Sequence, residues 1–150
     1  CMSLLLKQQP VASDFRFISA ALKMISDLER IGDQCADIAD MIRFTAPHDL
    51  KDFKDLEKMS SAAKEMLTNA IESYVKKDKD LAISVMQSDD VVDSLFDSVK
   101  KRLIKEIEKN ANEGELFIDI IVIAKYYERI GDHATNVAEW VYYSITGEHI

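Results

Sequence analysis

Two segments of this 150-residue chain place oxygen-bearing side chains at the same helical spacing. Residues 29–33 read Glu-Arg-Ile-Gly-Asp, and residues 128–132 repeat those residue types in the same order. Acids or amides continue four and then seven positions beyond the aspartate of each segment. The candidate ligands are Glu29, Asp33, Asp37 and Asp40 in the first segment, and Glu128, Asp132, Asn136 and Glu139 in the second. The duplication predicts two related helices, each with one functional face.

Steps of four, four and three residues bring each set of side chains onto one narrow stripe of an α-helix. Like charges at this spacing destabilise a helix by about 0.2–0.5 kcal/mol per pair, so an acidic stripe built twice indicates a compensating cation. Carboxylate oxygens are hard ligands for iron, manganese, magnesium or calcium ions, whereas structural zinc sites use thiolates and histidines. The residues therefore predict an all-oxygen site for a divalent or trivalent metal ion, with the choice among these ions left open.

A solvated acidic face is the simpler interpretation of one such stripe in an acidic protein. A solvated face has no need to keep the order of Glu, Arg, Gly and Asp in two helices, so the duplication favours metal binding. His133 points about 100° away from the stripe, which predicts a supporting or surface role. A further group of acids on the third helix, Asp89, Asp90, Asp93 and Asp97, is not duplicated, and we expect it to be exposed. Its second-tier candidates for metal binding are Asp89, Asp93 and Asp97.

Apolar residues at helical spacing predict four long helices that position these side chains. The helices are expected at about 14–44, 51–77, 79–109 and 115–146. Pro10 and Pro47 interrupt the helical pattern. Asp78 is a suitable N-cap and Gly147 a suitable stop. Short connections between long helices indicate an all-α antiparallel bundle, and no segment alternates with the period of a β-strand.

The same periodicity predicts which side chains are buried. For the first helix we expect Phe17, Ala21, Met24, Leu28, Ile31, Cys35, Ile38 and Ile42. For the second we expect Leu56, Met59, Ala63, Met66, Ala70 and Tyr74, and for the third Leu81, Val85, Val92, Leu95, Val99, Leu103 and Ile107. Gly32 and Gly131 lie within strong helices, where glycine costs about 0.5–1 kcal/mol relative to alanine. Both glycines therefore predict the close approach of another helix.

The composition disfavours several classes of function. Nineteen Lys and Arg residues against 27 Asp and Glu residues give a net charge of −8, which repels nucleic acids and anionic membranes. No uncharged apolar stretch approaches the roughly 20 residues that span a bilayer. Cys1 and Cys35 form neither a disulfide framework nor a zinc motif, which favours a reducing, cytoplasmic location.

A family resemblance rests on the duplicated Glu-x-x-x-Asp motif, on residues 7–12 (Lys-Gln-Gln-Pro-Val-Ala) and on the closing residues 138–140 and 146–149. In these segments the chain resembles the PhoU family of phosphate-transport-system regulators. The resemblance covers nearly the whole chain. It implies tandem three-helix repeats, the first represented by its last helix (1–48) and the second complete (49–150). Two N-terminal helices are then expected to lie outside this sequence, which leaves apolar faces open for association as a homodimer.

Family members bind multinuclear metal clusters at this motif, so the resemblance implies that all eight residues of the two stripes are ligands, for instance of an iron cluster. The family tolerates an asparagine at the position of Asn136. The implied function is that of a cytoplasmic, non-enzymatic regulator. It couples the ATPase of a phosphate ABC transporter to a sensor histidine kinase and represses the phosphate-starvation response. It meets the membrane only through these partners.

Two other functions are compatible with the residues. A ferritin-like di-iron enzyme also places carboxylates inside a four-helix bundle, but it needs Glu-x-x-His on two helices. This spacing is absent from the sequence, since Glu128 and His133 are five residues apart, and the enzyme is disfavoured. A metal-free scaffold that presents the acidic stripes to a basic partner is the second alternative. Melting that is unchanged by divalent cations would favour the scaffold.

Overall fold

The computed structural model of the protein describes residues 12–45 and 53–150. Its four α-helices are α1 (Ala12–Thr45), α2 (Lys54–Lys76), α3 (Lys79–Lys109) and α4 (Gly114–Thr146). A 3₁₀ turn at Ala111–Glu113 precedes α4, and the described residues contain no β-strand. The predicted all-α antiparallel bundle of four long helices is confirmed. The predicted connection at Pro47 lies outside the described residues.

The predicted helix ends follow from local backbone chemistry. Lys77 has a φ of 52°, in the left-handed region that ends a helix, and it closes the tight turn between α2 and α3. The Asp78 carboxylate accepts a hydrogen bond of 3.0 Å from the N–H of Leu81, as an N-cap does. Gly147, with a φ of 78°, donates its N–H to the carbonyl oxygen of Tyr143 at 2.8 Å and ends α4. Both predicted signals are confirmed.

Helix α4 is central in the bundle because it packs against α1, α2 and α3. Its buried side chains therefore face two sides, α1 on one and the α2–α3 pair on the other. Helix α2 buries one stripe, as its spacing predicts; the predicted members that are buried are Leu56, Met59, Ala63, Met66 and Ala70. None of the described helices combines the length and the apolar character that crossing a membrane requires.

Three predicted core residues lie at the surface of the described structure. Cys35 and Ile42 on α1 are exposed, and Ile42 keeps 45% of its accessible surface. The reason is that α1 buries the side of Met24 and Ile31 and packs mainly on α4, so its other side is open. Ile107 is 46% exposed because α3 has 31 residues and α2 only 23, so the last turns of α3 extend beyond α2.

Candidate metal centre

Three carboxylates from two helices converge on one side of the α3–α4 pair, where Asp89 is half-buried and Asp93 and Asp132 are exposed. Asp89 and Asp93 lie one turn apart on α3, and Asp132 lies on α4. One oxygen of each carboxylate lies within 4.8 Å of an oxygen of the other two. Antiparallel packing of α3 on α4 thus brings Asp132 of the duplicated motif to two aspartates of α3. We call Asp89, Asp93 and Asp132 the acidic cluster.

Asp89 is the most enclosed member of the acidic cluster. Its Oδ1 atom is buried and has no hydrogen-bond partner among the described residues. Burial, followed by the charges of Asp93 and Asp132, raises the pKa of Asp89 to about 6. A buried carboxylate oxygen without a partner is costly, and a cation would satisfy it.

Gly131 lies where side chains of α2 and α3 pack against the backbone of α4. A Cβ atom at Gly131 would lie 3.4 Å from the Asp89 Oδ1 atom, 3.5 Å from Val92 and 3.6 Å from the sulfur of Met66. Helices α2 and α3 therefore both contact the backbone of α4 beside Asp132. The close approach predicted from this glycine is confirmed: a Cβ atom would already be in van der Waals contact with these side chains, and a larger side chain would have to displace them.

Partial desolvation and mutual repulsion act on the acidic cluster, although Asp93 and Asp132 keep exposed side chains. Desolvation, then the charge of Glu128, raises the pKa of Asp93. The same two causes, in the same order, raise the pKa of Asp132, and Asp93 adds to them. Glu128 thus belongs to the electrostatic surroundings of the cluster, although the ammonium of Lys125 holds its carboxylate at 2.8 Å. A site whose carboxylates repel one another in this way is suited to a cation.

The remaining predicted residues of α4 lie outside the acidic cluster. The Asn136 amide donates to Asp27 Oδ1 on α1 at 3.2 Å, and His133 Nδ1 lies 3.0 Å from the same oxygen. These contacts join α1 to α4 and place His133 in a supporting position. Glu139 is exposed. The role of Asn136 and Glu139 as metal ligands stays a prediction.

The predicted stripe of α1 is open. Glu29, Asp33, Asp37 and Asp40 are all exposed, and no second group of three carboxylates converges within the described residues. A Cβ atom at Gly32 would have no described atom within 4 Å outside its own helix. The close approach predicted at Gly32 is therefore wrong for the described structure. Its physical reason is that α1 packs on α4 through another face.

The exposure predicted for the group of acids on α3 is confirmed for Asp93 and Asp97, whereas Asp89 is half-buried, and both Asp89 and Asp93 lie beside Asp132. Asp97 lies 3.8 Å from the ammonium of Lys100 and outside the acidic cluster. One signal in the sequence could have found the site. A glycine next to an acid predicts a helix at close range, and an Asp pair spaced by four on a neighbouring helix could face that acid.

The donor set of the acidic cluster fits a hard cation. All three donors are carboxylates, the buried Asp89 Oδ1 lacks a partner, and neither a thiolate nor a histidine belongs to the group. Magnesium, calcium, manganese and iron ions accept such ligands. Asp89, Asp93 and Asp132 would hold the ion, and the charge of Glu128, one turn before Asp132 on α4, acts on the same site.

Comparison with known proteins identifies the family. The sequence pattern of the PhoU domain matches residues 1–42 and 56–141. The chain belongs to the PhoU family. Both the α1 motif and the α4 motif fall inside the matched ranges.

PhoU proteins of several bacteria are similar over nearly the whole chain. A phosphate-specific transport system accessory protein PhoU homolog of Clostridium acetobutylicum is 35% identical over 98% of this chain and 68% of its own length. PhoU homolog 1 of Thermotoga maritima is 32% identical over 96% of this chain and 63% of its own length. This chain thus spans about two-thirds of the length of these relatives.

Solved PhoU structures have the same fold. The crystal structure of PhoU from Pseudomonas aeruginosa superimposes with a TM-score of 0.89 at 32% identity, over 99% of this chain and 72% of that one. The phosphate transport system regulatory protein PhoU from Streptococcus pneumoniae gives 0.84 at 26% identity, over 99% and 69%. The predicted PhoU-like architecture is therefore confirmed.

Proposed function

We propose that this protein is an accessory protein of a phosphate transport system and that it binds a divalent or trivalent metal ion at the acidic cluster. The accessory role is supported by relatives that carry this name. Metal binding is supported above all by one observation, the buried and unpartnered Oδ1 atom of Asp89 beside Asp93 and Asp132. A bound cation would supply the positive charge that lets these carboxylates stay ionised between α3 and α4.

The chain's own residues would couple occupancy of the site to helix packing. Asp89 and Asp93 hold the α3 side, and Asp132 holds the α4 side. Ionised and uncompensated, these groups push the two helices apart, whereas a shared cation draws them together. The surface of the α3–α4 pair is therefore stiffer when the site is filled. This gives the protein a way to present different surfaces to partners.

We propose that the protein is a non-enzymatic, cytoplasmic regulator that represses the phosphate-starvation response. Its proposed partners are the ATPase of a phosphate ABC transporter and a sensor histidine kinase. The two acidic stripes and the net charge of −8 favour basic partner surfaces. Mixing the purified chain with each partner in size-exclusion chromatography tests this role. Co-elution is expected with both. Separate elution from both, with and without manganese, would contradict it.

The metal site is tested with two substitutions at equivalent positions of the repeated motif. Asp132→Asn removes a charge from the acidic cluster, and Asp33→Asn removes the matching charge from the open stripe of α1. Manganese at about 100 times its Kd should stabilise the wild-type protein by about 2.7 kcal/mol, which raises Tm by several degrees. Asp33→Asn should keep this shift, and Asp132→Asn should lose most of it.

Elemental analysis of untagged protein, prepared without chelating resin, gives the second readout. A stoichiometric metal in the wild-type protein and in Asp33→Asn, lost in Asp132→Asn, is the expected result. No metal in any of the three, together with melting that ignores manganese, would contradict the metal site. In that case the acidic residues would form the metal-free scaffold surface. An equal loss in both variants would instead make the α1 stripe a second metal site.

A further inference from the structure

A lysine ammonium is held at the edge of the acidic cluster. Lys125 lies one turn before Glu128 on α4, and its Nζ atom donates to Glu128 Oε1 at 2.8 Å. The same Nζ atom lies 5.3 Å from the centre of the Phe96 ring, which belongs to α3. An ion pair in which lysine precedes glutamate along a helix is the less favourable order, so α4 alone would stabilise the Lys125–Glu128 pair only weakly. The Phe96 ring of α3 adds a cation–π contact that supports it.

The charge of Lys125 reaches beyond Glu128. Glu128 lies one turn before Asp132 on α4, so an ammonium on Glu128 is a close neighbour of the acidic cluster. In agreement with this placement, the charge of Lys125 lowers the pKa values of Asp93 and Asp132, against the desolvation that raises both. His133 also acts on Asp132, but its ring is held by Asp27 of α1. Lys125 is 46% exposed and has a flexible four-carbon stem, whereas the Glu128 side chain is only 15% exposed. The ammonium can therefore leave while the carboxylate stays in place.

We infer that Lys125 is a built-in counter-cation that occupies Glu128 and competes with a metal ion for the acidic cluster. The inference rests on the proposed metal site. A cation at the cluster and an ammonium on Glu128 repel each other, so binding of one weakens binding of the other. Lys125 thus stabilises the metal-free protein and sets the metal concentration at which the site fills.

Lys100 provides a matched control on the neighbouring helix. Its Nζ atom lies 5.6 Å from the centre of the same Phe96 ring, and its side chain is 55% exposed. Its acidic partner is Asp97, at 3.8 Å, which lies outside the acidic cluster. Lys125→Met and Lys100→Met therefore each remove one ammonium group from beside the Phe96 ring. Only Lys125→Met also frees the carboxylate of Glu128.

Manganese titration of the whole chain, with free Mn²⁺ followed by electron paramagnetic resonance, gives the first readout. Lys125→Met should bind manganese about fivefold more tightly than the wild-type protein, which matches the loss of one competing ion pair. Lys100→Met should stay within about twofold of the wild-type value. Melting in EDTA gives the second readout, which needs no metal. There Lys125→Met should lower Tm by about 2 °C, and adding Glu128→Gln should recover most of that loss.

The outcomes separate this inference from the metal site on which it rests. If the wild-type protein binds manganese but Lys125→Met binds it no more tightly than Lys100→Met, the counter-cation is overturned and the metal site stands. Weaker binding by Lys125→Met also overturns it, because the lysine would then support the site. If neither the wild-type protein nor any variant binds manganese, the metal site and the counter-cation both fail.

Discussion

The same five-residue motif lies in two different environments on α1 and α4. On α4 its glycine, Gly131, lies against side chains of α2 and α3, whereas no described atom of another helix lies within 4 Å of a Cβ placed on the matching Gly32 of α1. Ile42 of α1 is 45% exposed, whereas Val141 at the matching position of α4 is fully buried. The acid of the motif meets other carboxylates on α4 alone within the described structure. The motif therefore supplies half of a carboxylate site, and a partner helix supplies the other half.

The difference follows from how many neighbours each helix has. Helix α4 packs on α1 with one side and on α2 and α3 with the other. Helix α1 uses the side of Met24, Ile31 and Ile38 against α4, and its acidic side has no described helix upon it. Burial of Asp89 and repulsion within the cluster, which make a cation favourable, arise where α3 covers α4.

The largest expected effect distinguishes the two glycines. Gly131→Leu should destabilise the protein by about 3 kcal/mol, because the new side chain has to displace Asp89, Val92 and Met66. Gly32→Leu should be neutral or stabilising by up to about 0.8 kcal/mol, because leucine is the better helix former and meets nothing. Urea unfolding in EDTA measures both. Equal losses at the two positions would show that both motifs are covered alike.

A core truncation at matching positions should give a smaller contrast. Val141→Ala should cost about 2 kcal/mol, because it leaves a cavity at a fully buried position. Ile42→Ala removes more carbon atoms but should cost less than about 1 kcal/mol, because the side chain is 45% exposed. Thermal unfolding in parallel tests the order. A greater loss at Ile42 would mean that its surface is buried in solution, as in a homodimer.

The pH dependence of stability should depend on Asp89 and not on Asp33. The pKa of Asp89 is raised from 3.8 to about 6 in the folded protein, so between these values the folded state binds more protons than the unfolded state. The free energy of unfolding of the metal-free protein should therefore fall as pH rises through this interval. Allowing for screening by solvent, Asp89→Asn should remove about 1 kcal/mol of that fall.

Asp33→Asn is the control for this pH effect, since Asp33 lies in the open stripe of α1. Urea unfolding in EDTA from pH 4.5 to pH 7 compares the three proteins. The wild-type protein and Asp33→Asn should show the same slope, and Asp89→Asn a shallower one. A slope that Asp33→Asn reduces as much as Asp89→Asn does would attribute the effect to net charge and contradict a local origin.

Only the α4 side of the candidate site could be predicted from the sequence. The repeat pointed to Asp132 and Glu128, because two copies of one motif can be aligned without a structure. The predicted exposure is confirmed for Asp93, whereas Asp89 is half-buried. Their contact with Asp132 could not be predicted, because no repeat marks them and the periodicity of α3 does not tell which residues of α4 they face. Their position depends on the register of α3 against α4, which the turn at Ala111–Glu113 and the close approach at Gly131 establish.

The sequence by itself determined the helices, their ends and the two acidic stripes. Capping by Asp78, the stop at Gly147 and the spacing of buried residues in α2 are local properties that act within a turn or two. The tertiary structure decided which stripe becomes a carboxylate site, since that requires a second helix at close range. Asp89 becomes a candidate ligand only through that packing, which buries its Oδ1 atom against Gly131 and places its carboxylate beside Asp132.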